Sequence, residues 1–155
     1  MVSARNVNDQ NLIETTCKNT PDYNLCTAII RADPKSAAAE LQDLGLIVVA
    51  AIKKRTQQVM ATIDSLTKTS PKNLLPPLKQ CRKYYNAVLV GNIPVAEQTV
   101  WGNPKFAETA MADTKNEAEW CEEQFQGVAP SPLTADNKYV ADAAAVARGI
   151  IRNLL

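Results

Sequence analysis

The chain has 155 residues, 46% of them apolar, with five Gly, nine Pro, four Cys and no His; 17 basic against 16 acidic side chains leave a formal charge of +1. Without His there is no Ser-His-Asp or Cys-His catalysis, no imidazole ligand for zinc and no unperturbed side chain titrating near pH ~6.5. Near-neutrality removes the electrostatic pull toward nucleic acid, and the longest apolar run, residues 44–52, is far shorter than the roughly 20 residues of a membrane span.

Few Gly, abundant Ala and Leu, and little β-branched alternation predict an all-α fold in a single domain spanning 1–155. Two short helices come first, over 9–18 and 22–32, separated by Asn19-Thr20-Pro21. Cys17 and Cys26 flank that turn at a spacing suited to stapling a helical hairpin over 9–32. Asp33-Pro34 then reads as a cap followed by a first-turn proline.

A long helix over 36–68 follows, with Leu41, Leu44, Val48, Ile52, Val59, Ile63 and Leu66 forming a continuous stripe. A helix of roughly 50 Å needs partners of similar length, which suggests a bundle. The second bundle helix starts at Pro76, carries Leu78, Cys81, Tyr85, Val88 and Leu89, kinks or restarts at 91–94, and continues through Val95 and Val100. The third, over 104–125, aligns Ala107, Ala110, Thr114, Ala118, Cys121 and Phe125, with Asn103-Pro104 as its start. The fourth, over 134–153, aligns Val140, Ala143, Ala147, Ile150 and Leu154 behind a cap-like Ser131-Pro132. The four make an up-down-up-down bundle over 36–155. Cys81 and Cys121 fall on the core stripes of different helices, so the preferred pairing is 17–26 and 81–121. An even Cys count favours an oxidising compartment. Residues 1–12 have no apolar signal-peptide core, so either the chain stays in the cytosol or a leader has been removed.

Carboxylates are the plentiful acid/base groups. Glu108, Asp113, Glu117, Glu119, Glu122 and Glu123 crowd the third bundle helix off its apolar stripe, so they read as a solvated outer face rather than a catalytic or metal-binding set. No metal and no cofactor is expected. Residues 1–83 carry a net +5 and residues 84–155 a net −4, which reads as charge complementarity between helices and solubility rather than as a polarised partner surface. Core packing is the expectation for most of Tyr84, Tyr85, Trp101 and Trp120. The junction Trp101-Gly102-Asn103-Pro104-Lys105-Phe106 admits two readings. Phe106 either packs inward as a hydrophobic staple, or forms with Pro104 and Lys105 a rigid tip that enters an acidic, aromatic-lined pocket of another protein.

The run LIETTCKNTPDYNLC at 12–26, Ala32-Asp33-Pro34-Lys35-Ser36, Cys81, Cys121 and the ending Ile150-Ile151-Arg152-Asn153-Leu154-Leu155 resemble mature plant invertase and pectin methylesterase inhibitors. The resemblance implies a helical hairpin ahead of a four-helix bundle, the same two disulfides and no catalysis. It also implies secretion to the apoplast or cell wall, or alternatively the vacuole. Pro104-Lys105-Phe106 resembles the branch that blocks acid invertase, in which Lys105 would meet cleft carboxylates and Phe106 an apolar subsite. Pectin methylesterase is the alternative partner. Ser131-Pro132-Leu133-Thr134 and Asn137-Lys138-Tyr139-Val140 are similar to inhibitor-like pollen proteins. A small-ligand carrier with an apolar cavity is a competing reading. In the absence of His, any switch near pH ~6 must come from the target or from perturbed carboxylates.

Overall fold

The computed structural model describes residues 4–155. Helices α1 (Ala4–Lys18) and α2 (Tyr23–Ala32) form the hairpin. The Asp22 side chain accepts from Leu25 N at 3.0 Å and starts α2, while Cys17 and Cys26, both fully buried, are bonded with Cα atoms 5.5 Å apart. α1 begins at Ala4, earlier than the position 9 expected from sequence.

The long helix starts later than expected. Asp33 Oδ1 accepts from Lys35 N at 2.9 Å and closes a 3₁₀ turn over Pro34–Ala38. The backbone is then extended through Ala39 and Glu40, and α3 runs over Leu41–Thr69. The Asp43 carboxylate accepts from Glu40 N at 2.9 Å, so a local cap beyond the proline sets the true start. Its stripe is buried at Leu44, Val48, Ile52, Val59 and Ile63, with Leu41 and Leu66 half-buried at the ends.

The expected kink is a change of helix type. α4 (Leu75–Ala87) passes through a π-turn at Val88–Asn92 into α5 (Ile93–Thr99). Pro94 has no N–H to donate and its ring crowds the carbonyl four residues back; a wider turn relieves both. The extra residue shifts the helical phase. Val95, expected inside, is 41% exposed, and Ile93 and Ala96 take the core positions.

α6 (Pro104–Glu123) and α7 (Thr134–Arg152) complete the bundle. Ser131-Pro132 is a turn rather than the helix start: Ser131 Oγ accepts from Leu133 N at 3.1 Å, and α7 begins two residues after the proline. Gly127, at φ +72°, supplies the left-handed residue that reverses the chain after α6. α6 packs along α7 and against α4 and α5, and α3 closes the ring against α7 and α4. Cys81–Cys121 (Cα separation 4.7 Å) ties the middle of α4 to the end of α6. Ion pairs join the basic and acidic halves, as expected: Arg55 to Asp136 at 2.7 Å and Lys53 to Glu97 at 3.8 Å.

The hairpin packs on α3 and α7, with α2 reaching Ala51 and Gln58 of α3 and the α1–α2 turn lying on Gly149 of α7. An added Cβ on Gly45 would touch Ile150, Ile151 and Val100, and one on Gly149 would lie 3.3 Å from Thr20 Cα. No side chain fits at 149 without moving the α1–α2 turn. Gly149→Val should therefore loosen the hairpin by about 1–3 kcal/mol. Limited proteolysis should cut near Thr20 in the variant and spare it in wild type; equal protection would remove Gly149 from this role.

Candidate functional site

The hairpin turn at Asn19 and Pro21 shares a cleft with Met111 and Lys115 of α6, about two to three turns from where that helix starts. Asn103 N donates to Thr99 O at 2.7 Å and Phe106 N to Asn103 O at 3.1 Å, so the junction after α5 is held by its own backbone. Pro104 occupies the first helical turn with its φ preset. From this base the side chains project outward. Lys105 is 65% exposed, Phe106 57% and Trp101 54%. Phe106 does not pack inward as a staple; Ala107, the next residue, faces the core instead. The structure thus brings Pro104, Lys105 and Phe106 together as a protruding edge with Trp101 close by in sequence. Trp120 is also exposed, stacked at a tilt on Tyr84 with ring centroids 5.8 Å apart, so two of the four aromatics, for most of which core packing was the expectation, lie on the surface.

The acidic residues of α6 are not uniformly a solvated face. Asp113, Glu119 and Glu123 are exposed, but Glu108 is only 5% exposed and Glu117 and Glu122 are half-buried. α7 presents Ala141, Ala143, Ala144 and Ala147, so it approaches α6 closely and widens the buried arc beyond the apolar stripe. Glu108 Oε1 lies 3.5 Å from Lys105 Nζ and 3.6 Å from Arg148 Nε of α7. Glu122 accepts from Thr134 Oγ1 and, at 2.8 Å, from Asn137 Nδ2; Asn137 Oδ1 in turn accepts from the buried Tyr85 hydroxyl. Burial works to raise the Glu122 carboxyl, but hydrogen bonds from Thr134, Asn137 and Ser131 outweigh it and hold the group below its usual range. Burial, aided by Asp136 and Glu122, pushes the Tyr85 phenol upward. This polar network lies beside Cys81 and Cys121, at the end opposite the tip. Sequence reasoning missed it, although Asn137 sits one turn before Val140 on the α7 stripe.

Glu117 is the strongly perturbed carboxylate. Burial against the π-turn and the nearby Asp113 charge push it up to about 7, while Asn92 Nδ2, donating at 2.7 Å, pulls the other way. A carboxyl whose folded pKa exceeds its unfolded value of about 4.3 favours the folded state while protonated. That contribution is full below pH ~4 and is lost as pH rises toward about 7. Glu117→Gln should match wild type at pH ~4 and exceed its stability at pH ~8 by about 1 kcal/mol, the half-exposed carboxyl being screened by water. Urea denaturation at both pH values checks this, and an unchanged pH slope in the variant would exclude Glu117 as its source.

Two surface clefts of about 410 Å³ each open to solvent. One is lined by Asn19, Lys115, Arg148, Arg152 and Asn153 among others, the second by Asp33, Lys35 and Asp43 beside Leu46 and Ile47. Neither is a cavity enclosed within the bundle, which is what the carrier reading requires. Among the described residues no cluster of three or more His, Cys, Asp or Glu is placed to hold a metal ion, and no helix is long and apolar enough to cross a membrane.

Comparison with known proteins adds three findings. Residues 11–155 match the profile of a family described as plant invertase/pectin methylesterase inhibitor. The cell wall/vacuolar inhibitor of fructosidase 1 of Arabidopsis thaliana is 34% identical over 145 residues, covering 93% of this chain and 69% of that protein. Two crystal structures of pectin methylesterase inhibitors from Arabidopsis share the fold. One, a mutant form, has a TM-score of 0.79 at 16% identity and covers 91% of this chain and 95% of its own. The other scores 0.71 at 17% identity and covers 95% and 98%.

Proposed function

The chain belongs to the plant invertase/pectin methylesterase inhibitor family, and from that premise we propose that it is a protein inhibitor of acid invertase, blocking the sucrose-binding cleft with Pro104, Lys105 and Phe106. The observation that carries this reading is the exposure of Lys105 and Phe106 side by side on a backbone-locked, proline-started helix end. An ammonium and a phenyl ring so placed complement a cleft whose sugar site offers carboxylates and an apolar wall. The relative named as an inhibitor of fructosidase supports the same target class. The whole chain acts as one inhibitor domain. The hairpin braces α3 and α7, and catalysis is left to the target.

Both disulfides suit the oxidising environment of a secreted protein, in the apoplast or cell wall, with the vacuole as the alternative. The test is to titrate the protein against cell-wall invertase, vacuolar invertase and pectin methylesterase from mildly acidic to neutral pH. Inhibition of an invertase is expected. Inhibition of the esterase alone would transfer the function to the family's other branch, and no inhibition of either would remove it.

A further inference from the structure

Glu108 is the charged side chain that the fold buries among the described residues, and its neutralising partners are unusual. A buried carboxylate is costly unless a cation answers it. Here two cations converge on one oxygen: Lys105 Nζ from one turn earlier and Arg148 Nε from α7, at 3.5 and 3.6 Å from Oε1. Oε2 accepts no hydrogen bond from the described residues. Both separations exceed ordinary hydrogen-bond lengths, and both cationic side chains are substantially exposed, at 65% and 44%. They are ion pairs that can be released.

Lys105 also stands against the positive end of the α6 macrodipole, with no acidic residue in the first turn to offset it. Glu108, one turn in, supplies that offset. If Lys105 must swing onto carboxylates of a target, it leaves Glu108, and a lone buried carboxylate would oppose the move. Arg148 is already on the same oxygen.

We propose that Arg148 is a positioning residue for Lys105 that acts through Glu108: it neutralises the buried carboxylate when Lys105 transfers to the partner, so that the transfer strands no charge. The proposal rests on the reading of Pro104, Lys105 and Phe106 as the inhibitory tip. Its signature is conditional, because Arg148 matters to inhibition only while residue 108 is charged.

The full-length disulfide-bonded protein is assayed against acid invertase as Arg148→Met, Glu108→Gln and the double variant. Arg148→Met should weaken inhibition about tenfold, while Glu108→Gln alone and the double variant stay within about threefold of wild type. Arg148→Met inhibiting like wild type, or a double variant as weak as Arg148→Met, would overturn the handover. A second measurement does not depend on the target. Lys105→Met and Arg148→Met should each lower the melting temperature little and together by more than their sum, with the excess vanishing in the Glu108→Gln background. Additive losses overturn the shared carboxylate itself. If wild type inhibits no invertase while the melting losses are super-additive, the tip reading fails and the handover with it, but the shared ion pair stands.

Discussion

Lys105→Ala and Phe106→Ala are each expected to weaken invertase inhibition by about 2 kcal/mol, a factor of about 30, and together to abolish it in practice. The expectation follows from where the two side chains stand. Neither supports the fold: both are more than half exposed, and Lys105 shares its carboxylate partner with Arg148, so its removal leaves Glu108 neutralised. Melting temperatures should therefore stay near wild type while the inhibition constant rises. Both groups would be desolvated in a cleft, where one lost contact leaves an unpaired carboxylate and the other an unfilled apolar pocket. Inhibition constants at matched pH, with circular dichroism melts as controls, make the measurement. A double variant that still inhibits fully would place the contact surface elsewhere on the bundle.

The second large effect is on stability. Replacing Cys81 and Cys121 by Ala should cost about 4 kcal/mol, the chain-entropy value for a loop of their sequence separation of 40 residues. For a chain of this size that lowers the melting temperature by roughly 8–15 °C. The Cys17–Cys26 pair closes a much shorter loop, with a separation of 9, and its removal should cost nearer 2.7 kcal/mol. The two losses also differ in place. Cys81–Cys121 lies at the bundle end away from the tip, so inhibition measured well below the melting point should survive its removal. Cys17–Cys26 staples the hairpin that packs on α3 and α7. A loss of less than about 1 kcal/mol for the Cys81/Cys121 variant would show that the packed polar network beside it, rather than the cross-link, holds that end together.

Helix starts were legible where a local device sets them. Asp22, Pro76 and Pro104 act on the backbone within one turn, and the structure uses each near the expected place. The start of α3 was not, because Pro34 initiates a 3₁₀ turn and the choice between stopping and continuing rests with Asp43 farther on. Pro94 announced a disturbance, but not that a π-turn would absorb it and rotate Val95 outward. The core stripe of α3 skips a position between Ile52 and Val59 that the structure fills with Thr56, fully buried and without a hydrogen-bond partner for its hydroxyl among the described residues. Periodicity alone passes over such a residue because it is polar.

The candidate site divides along the same line. Composition, Cys spacing and helical periodicity were enough for an all-helical bundle with two disulfides and a short Pro-Lys-Phe segment at one helix start, because these depend on contacts within a turn or on stripes within one helix. Whether Phe106 turns inward or outward depends on what α5 and α7 leave uncovered, and only the packed structure decides it. The burial of Glu108 is likewise a property of two helices: the Ala-rich face of α7 comes close enough to enclose a carboxylate that α6 by itself would leave in water, and Arg148 arrives from 40 residues away to neutralise it. The sequence by itself determined that the molecule carries no histidine chemistry and starts one helix with adjacent Lys and Phe. The tertiary structure decided which charges are free and which are shared, since burial and pairing arise between elements rather than along them.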